Sequence, residues 1–134
     1  MKTNLKKVFA LIFAVMFVFC FAACGEKKAP VIGISQYGQH GSLDNCREGF
    51  LQGLKEAGLE EGKDYQIDYQ NASFDDNMAI QIAQAFSAED AALMVGIATP
   101  SATACYAAAE DKDIPVVFTA ITDPVGCLLY TSPS

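Results

Sequence analysis

Two short segments of this 134-residue chain combine a hydroxyl or a carboxylate with a proline, and both have the form of a helix start. In Thr99-Pro100-Ser101, Thr99 fits the N-cap, Pro100 fits the first helical position because its missing N–H would have had no partner there, and Ser101 falls in the first turn. Such an end offers free N–H groups, the positive pole of the helix dipole and two hydroxyls, a receptor suited to a carboxylate. Thr122-Asp123-Pro124 repeats the form with Asp123 as the apparent cap. Two uses are open for each: the first is a carboxylate receptor or a well-capped helix, the second a carboxylate that holds a ligand ammonium group or one that only starts the next helix.

The remaining polar candidates cluster in Gln36-Tyr37-Gly38-Gln39-His40-Gly41, whose two glycines and lack of apolar periodicity mark a loop. Gln36 and Gln39 each donate and accept hydrogen bonds, which suits a selective pocket as well as a wet surface. Tyr37 has a ring that either stacks on a ligand or covers the sheet edge. His40 is the sole histidine. A metal site would need carboxylate partners at a spacing that is not seen, so a solvated loop histidine is the default and no metal or cofactor is expected. The signatures of catalysis are missing too: there is no glycine-rich phosphate loop after the first apolar run, no serine elbow and no paired zinc spacing. A response-regulator receiver would need clustered acids where this chain has Ser35-Gln36-Tyr37.

Four apolar runs and three helical patterns must position these groups. Val31-Ile32-Gly33-Ile34-Ser35 suits a strand covered on both faces. From Ser42, a plausible N-cap, Leu43, Cys46, Phe50, Leu54 and Ala57 recur at helical spacing up to Gly58. Tyr65 to Tyr69 alternates as a second strand, with Asn71 to Asp75 as its exit loop. Asp76 to Phe86 carries Met78, Ile82 and Phe86 on one helical face, Ala92 to Ala98 reads as a third strand, Thr99 to Ala109 as an alanine-rich helix and Ile114 to Phe118 as a fourth strand. Helical connections between buried strands imply parallel pairing with right-handed crossovers, hence a doubly wound α/β sheet, expected in the order 2-1-3-4. Ligands of such sheets sit beyond the carboxyl ends of the strands. That selects residues 36–41, 71–75, 99–101 and 119–123, all polar, as the edge where a small polar molecule would bind.

The N-terminus bears on location. Lys2, Lys6 and Lys7 precede an unbroken apolar run of 16 residues from Val8 to Ala23, too short for a comfortable ~20-residue membrane span but suited to a secretory signal. The junction Phe21-Ala22-Ala23-Cys24-Gly25 resembles the lipobox of bacterial lipoproteins, in which the cysteine thiol receives a diacylglyceryl group and becomes the mature N-terminus. Residues 1–23 are thus expected to be a lipoprotein signal peptide, Cys24 the lipidated residue and 24–30 a tether. The formal net charge is −7, and loss of three lysines with the signal makes the mature protein more acidic still. Nucleic acid is excluded as a partner, because its phosphates require clustered Lys and Arg. Of the five cysteines, Cys46 and Cys105 remain once Cys20, Cys24 and the terminal Cys127 are set aside. In the 2-1-3-4 order the first and third helices lie on opposite faces of the sheet, so these two are expected as separate buried thiols.

Taken together, Val31-Ile32-Gly33-Ile34-Ser35-Gln36 with His40 and Leu43-Asp44, Glu48-Gly49-Phe50, Tyr69-Gln70-Asn71-Ala72, Ala98-Thr99-Pro100-Ser101 and Val117-Phe118-Thr119-Ala120-Ile121-Thr122-Asp123-Pro124-Val125 resemble the substrate-binding lipoproteins of ABC transporters in the TrpX-like family. The resemblance implies a type I periplasmic-binding-protein fold, two α/β lobes that close over a small ligand and present it to a membrane permease. It also implies that Gln36, His40, Asn71, Thr99, Ser101, Thr122 and Asp123 line the first-lobe half of the cleft. Some members of the family are associated with aromatic amino acids, so a small polar ligand of amino-acid type, aromatic by preference, is expected, bound by a monomer without chemistry. A sensory ligand-binding module and an enzyme on a flavodoxin-like scaffold are the rival classes.

The resemblance runs from Val31 to Gly126, where the family would continue into another helix and a second lobe. Cys127 to Ser134 instead reads as a translated sequencing adapter joined to a truncated gene. On that expectation residues 31–126 are one lobe, and since binding pockets bury ~70–90% of a small ligand, the lobe alone would bind poorly.

Overall fold

The computed structural model describes residues 28–126. The expected signal peptide, Cys24, the first part of the expected tether and the terminal segment 127–134 lie outside the described residues. β1 (Val31–Gln36) is an interior strand of the sheet, flanked in parallel by β2 (Gln66–Asn71) and β3 (Leu93–Ile97), with β4 (Val116–Thr119) parallel to β3. The order is therefore β2-β1-β3-β4, the one expected above.

Period-two alternation divides the core. Ile32, Ile34, Val95 and Ile97 form one apolar cluster, covered by Leu43, Cys46, Phe50 and Leu54 of α1 (Gly41–Glu56). Met94 faces the other way, into a cluster with Ala79, Ile82, Ala83 and Phe86 of α2 (Asp76–Ala88) and Cys105 and Ala109 of α3 (Thr99–Ala109). Cys46 and Cys105 thus belong to clusters on opposite sheet faces, and both are free thiols. Gly33, on the α2 side of β1, has no room for a side chain: a Cβ there would stand 2.6 Å from the Phe86 ring. That close approach explains a glycine inside a strand, where it otherwise weakens the element.

Several local expectations shift. α1 starts at Gly41 and its N-cap is His40, not Ser42, because the imidazole Nδ1 accepts from Ser42 N–H at 3.3 Å and so replaces the hydroxyl that usually caps this turn. No residue of α1 is fully buried, and Ala57 is exposed past its last turn. β2 begins one residue late, at Gln66, and runs on to Asn71, which pairs with Gln36. Met78 is 44% exposed: Asp75 caps α2 through Met78 N–H at 2.8 Å, so Met78 sits in the first turn, beyond the strand ends, and Ala79 begins the buried stripe. The fourth strand starts at Val116, after a 3₁₀ turn (Glu110–Lys112), and Ile114 packs on the core instead. Among the described residues no helix is long and apolar enough to cross a membrane.

Candidate functional site

The strands end level with one another: Gln36 is opposite both Asn71 and Ile97, and Ile97 is opposite Thr119. The parallel ladder then continues into the loops. Ala72 N–H donates to Gln36 C=O at 2.9 Å, Tyr37 N–H to Ile97 C=O at 3.1 Å and Ala98 N–H to Thr119 C=O at 3.0 Å. The starts of all four exit loops are therefore tied into one rim, and the residues selected from the sequence in 36–123 lie in these loops or at their borders.

These residues fall into two groups. Gln36 and Ser101 are fully buried. The Gln36 amide donates to Gly38 C=O at 2.8 Å and to Asp44 Oδ1 at 2.9 Å, and its oxygen accepts from Arg47 Nη1 at 2.9 Å. Both amide hydrogens are engaged, so in this conformation Gln36 braces the β1 exit loop against α1. Ser101 Oγ accepts from Ser35 Oγ at 3.1 Å and pins the start of α3 to β1. His40, Thr122 and Asp123 are exposed, while Asn71 and Thr99 are half-buried. Asn71 closes an Asx turn, its Oδ1 accepting from Ser73 N–H at 2.8 Å and its amide donating to the Tyr69 hydroxyl at 3.2 Å. Asp123 Oδ1 accepts from Gly126 N–H at 2.9 Å, the bond that an N-cap carboxylate makes three residues on.

The expected cap of α3 moves by one residue. Ala98, not Thr99, is the N-cap: its backbone is non-helical (φ 75°, ψ 156°) and its carbonyl accepts the first intrahelical bond, from Ala102 N–H at 3.0 Å. Alanine supplies no capping side chain, so among the described residues no side chain caps the N-terminal N–H groups of α3. The conformation is close to one that only glycine adopts freely. Ser73 (φ 53°), Phe74 (φ 63°) and Ala120 (φ 58°) also take positive φ in these loops. Among the described non-glycine residues positive φ is thus concentrated on the rim, the remaining cases being Asp90 and Asp113 near helix ends.

Sequence inspection passes over two rim contributors, Arg47 and Phe74. Arg47 forms an ion pair with Asp44 at 3.2 Å and stacks over the Tyr69 ring at 4.6 Å, joining α1 to β2; the three-residue spacing of Asp44 and Arg47 is the only trace of this in the sequence. Phe74, 57% exposed, packs its ring edge-on against Tyr37 with centroids 5.7 Å apart. The Tyr37 hydroxyl donates to Asp76 Oδ1 at 2.8 Å, and this bond, with some burial and the charges of Asp76 and Asp75, holds the phenol above its usual pKa. Grooves of about 460, 370 and 320 Å³ lie along the helical flanks; Gln39 lines the first and Pro100 the second, but none of Gln36, His40, Asn71, Thr99, Ser101, Thr122 and Asp123 lines any of the three. Among the described residues no three metal-ligating side chains come together.

Residues 31–134 match the family described as ABC transporter substrate binding protein. A tyrosine-binding protein from Clostridioides difficile (strain R20291) is 43% identical over 107 residues, which make up 80% of this chain and 30% of that protein. Among solved structures, the ligand-free, open form of a substrate-binding protein with adhesive properties from Clostridium difficile superposes with a TM-score of 0.73 at 38% identity, over 78% of this chain and 35% of the other. A conserved domain protein from Vibrio cholerae reaches 0.71 at 47% identity, over 76% and 34%. The ABC domain in complex with L-Trp from Streptococcus pneumonia reaches 0.69 at 37% identity, over 75% and 33%. The chain spans about a third of the length of these relatives.

Proposed function

Since the chain belongs to the ABC transporter substrate-binding protein family, we propose that it is the first lobe of an extracytoplasmic solute receptor that captures an aromatic amino acid and delivers it to a permease. The observation that carries this is the rim itself: four strand-end loops stitched into one edge, with the α3 N–H groups left without a side-chain cap. A helix start of this kind favours a carboxylate. Thr99 at the same end adds a hydroxyl, and the exposed Asp123 supplies the negative charge that an α-ammonium group requires. The aromatic preference is supported by the tyrosine-binding and L-Trp-complexed relatives.

No bond is made or broken in such capture. A ligand that touches both lobes stabilises the closed arrangement by its differential affinity for it, and the permease reads that arrangement. Residues 1–23 act as the signal peptide, residues 24–30 as the tether, and Cys24 carries the lipid that keeps the receptor at the outer face of the membrane, as a monomer.

Calorimetric titration of the protein expressed from its complete gene, with L-tyrosine, L-tryptophan and L-leucine, tests the proposal. Saturable uptake of an aromatic amino acid, weakened at least tenfold by Asp123→Asn, supports it. Binding of none of the three, or turnover of any of them, rejects it.

A further inference from the structure

We infer that Phe74 is a ligand-contacting residue, a flat apolar platform on which the aromatic side chain of the ligand stacks. The inference rests on the amino-acid reading above and adds a contact to it. Phe74 lies in the exit loop of β2 and is 57% exposed although it is one of the largest apolar side chains in the described residues. Its backbone has φ 63° and follows Ser73 at φ 53°, so two successive non-glycine residues occupy the left-handed region. For a bulky residue that is costly, and strain of this kind persists where the surroundings over-determine it.

The surroundings do so here. Phe74 N–H donates to Tyr37 C=O at 2.7 Å, and the single proton of the Tyr37 hydroxyl is directed to Asp76 Oδ1 at 2.8 Å with Phe74 C=O, at 3.2 Å, as the longer branch of a shared bond. The ring lies on Gly38, where any Cβ would collide with it, and meets the edge of Tyr37 at 88°. One side of the ring is thus clamped on the β1 exit loop while more than half of the residue stays open to solvent. Clamping fixes the rotamer, so a stacking partner loses little freedom on binding.

Position supplies the ligand class. Asp76, two residues on, shares a groove with Pro100, which places the β2 loop beside the start of α3, where a carboxylate is expected. A molecule with a carboxylate at one end and a flat ring at the other fits that pair of features. Tyr37, the ring singled out in the sequence, is instead the brace: its hydroxyl is occupied and its ring packs on Phe74.

Titration of the protein from its complete gene with L-tyrosine and L-tryptophan tests this. An aromatic pair in its preferred geometry corresponds to roughly three- to tenfold in affinity. Phe74→Leu is expected to weaken both amino acids by that factor and Phe74→Tyr to stay within twofold of the parent, with equal melting temperatures before ligand is added. Phe74→Gly, free of cost at positive φ, serves as a second ringless variant. Phe74→Trp is expected to change its emission when L-tyrosine is added. Unchanged affinity in both ringless variants, equal losses in Leu and Tyr variants, or an emission unmoved while heat is released overturns the platform and leaves the receptor reading standing. A parent protein that takes only L-leucine overturns the platform and the aromatic preference while the amino-acid receptor stands, whereas one that takes no amino acid overturns all three.

Discussion

Ser35 in β1 and Ser101 in α3 share a 3.1 Å hydrogen bond with neither side chain reaching solvent, although 66 residues separate them. A buried hydroxyl left without its partner costs about 1–3 kcal/mol, whereas removing both hydroxyls is closer to neutral. Ser101→Ala is therefore expected to destabilise the protein by about 1–2 kcal/mol, and Ser35→Ala to do the same. The double variant should fall clearly short of their sum. Denaturant melts arranged as a double-mutant cycle read this coupling directly, and strict additivity would show that the pair does not pin α3.

Gly33 and Phe86 make a second pair. An alanine at position 33 would press its methyl into a ring that is itself 1% exposed. Overpacking of this kind costs about 1–3 kcal/mol. Gly33→Ala should lower the melting temperature, and Phe86→Leu, harmful alone, should restore part of the loss when the two are combined. A Gly33→Ala protein as stable as its parent contradicts the close approach of α2 to β1.

At Ala98 the expected change is in the other direction. The φ of 75° with ψ of 156° suits glycine, so Ala98→Gly should stabilise the protein by about 1 kcal/mol, the strain released exceeding the added freedom of the unfolded chain. A rise in denaturation midpoint at constant slope is the measurement.

Burial raises the Cys105 thiol from an ordinary 9.0 to about 12, because the thiolate would be stranded among apolar side chains. With the folded value above the unfolded one, the stabilisation is fully present below pH 9 and is lost as the pH climbs towards 12. Stability should therefore fall across that alkaline window, and Cys105→Ala should flatten the fall. A thiol reagent at pH 8 should modify the half-buried Cys46 well before Cys105. Equal rates, or a Cys46–Cys105 crosslink in the native protein, would contradict their placement on opposite sheet faces.

Cys24 provides a test outside the fold. Mass spectrometry of protein from the membrane fraction is expected to show diacylglyceryl on its sulfur, and Cys24→Ser should shift the protein to the soluble fraction. Each buried methylene of such a lipid contributes ~0.8 kcal/mol to anchoring. An unmodified Cys24 in the mature protein would reject the lipoprotein assignment.

The order of the sheet and the location of the rim were legible in the chain. Ile32 and Ile34, Met94 and Val95, and the stripes of α1 and α2 signal their elements through spacing alone, because burying apolar side chains depends on period and little else. Parallel strands joined by helices then leave few topologies, and loops at the carboxyl ends must gather at one edge. What spacing could not decide was which polar groups on that edge are spent and which are free. Gln36 and Ser101 are consumed by Asp44, Arg47 and Ser35, His40 displaces Ser42 as a cap, and Phe74 stays open above Gly38. A hydrogen bond is directional and pairwise, so its partner is settled only when distant segments are packed together, whereas apolar burial accepts any neighbour of suitable shape.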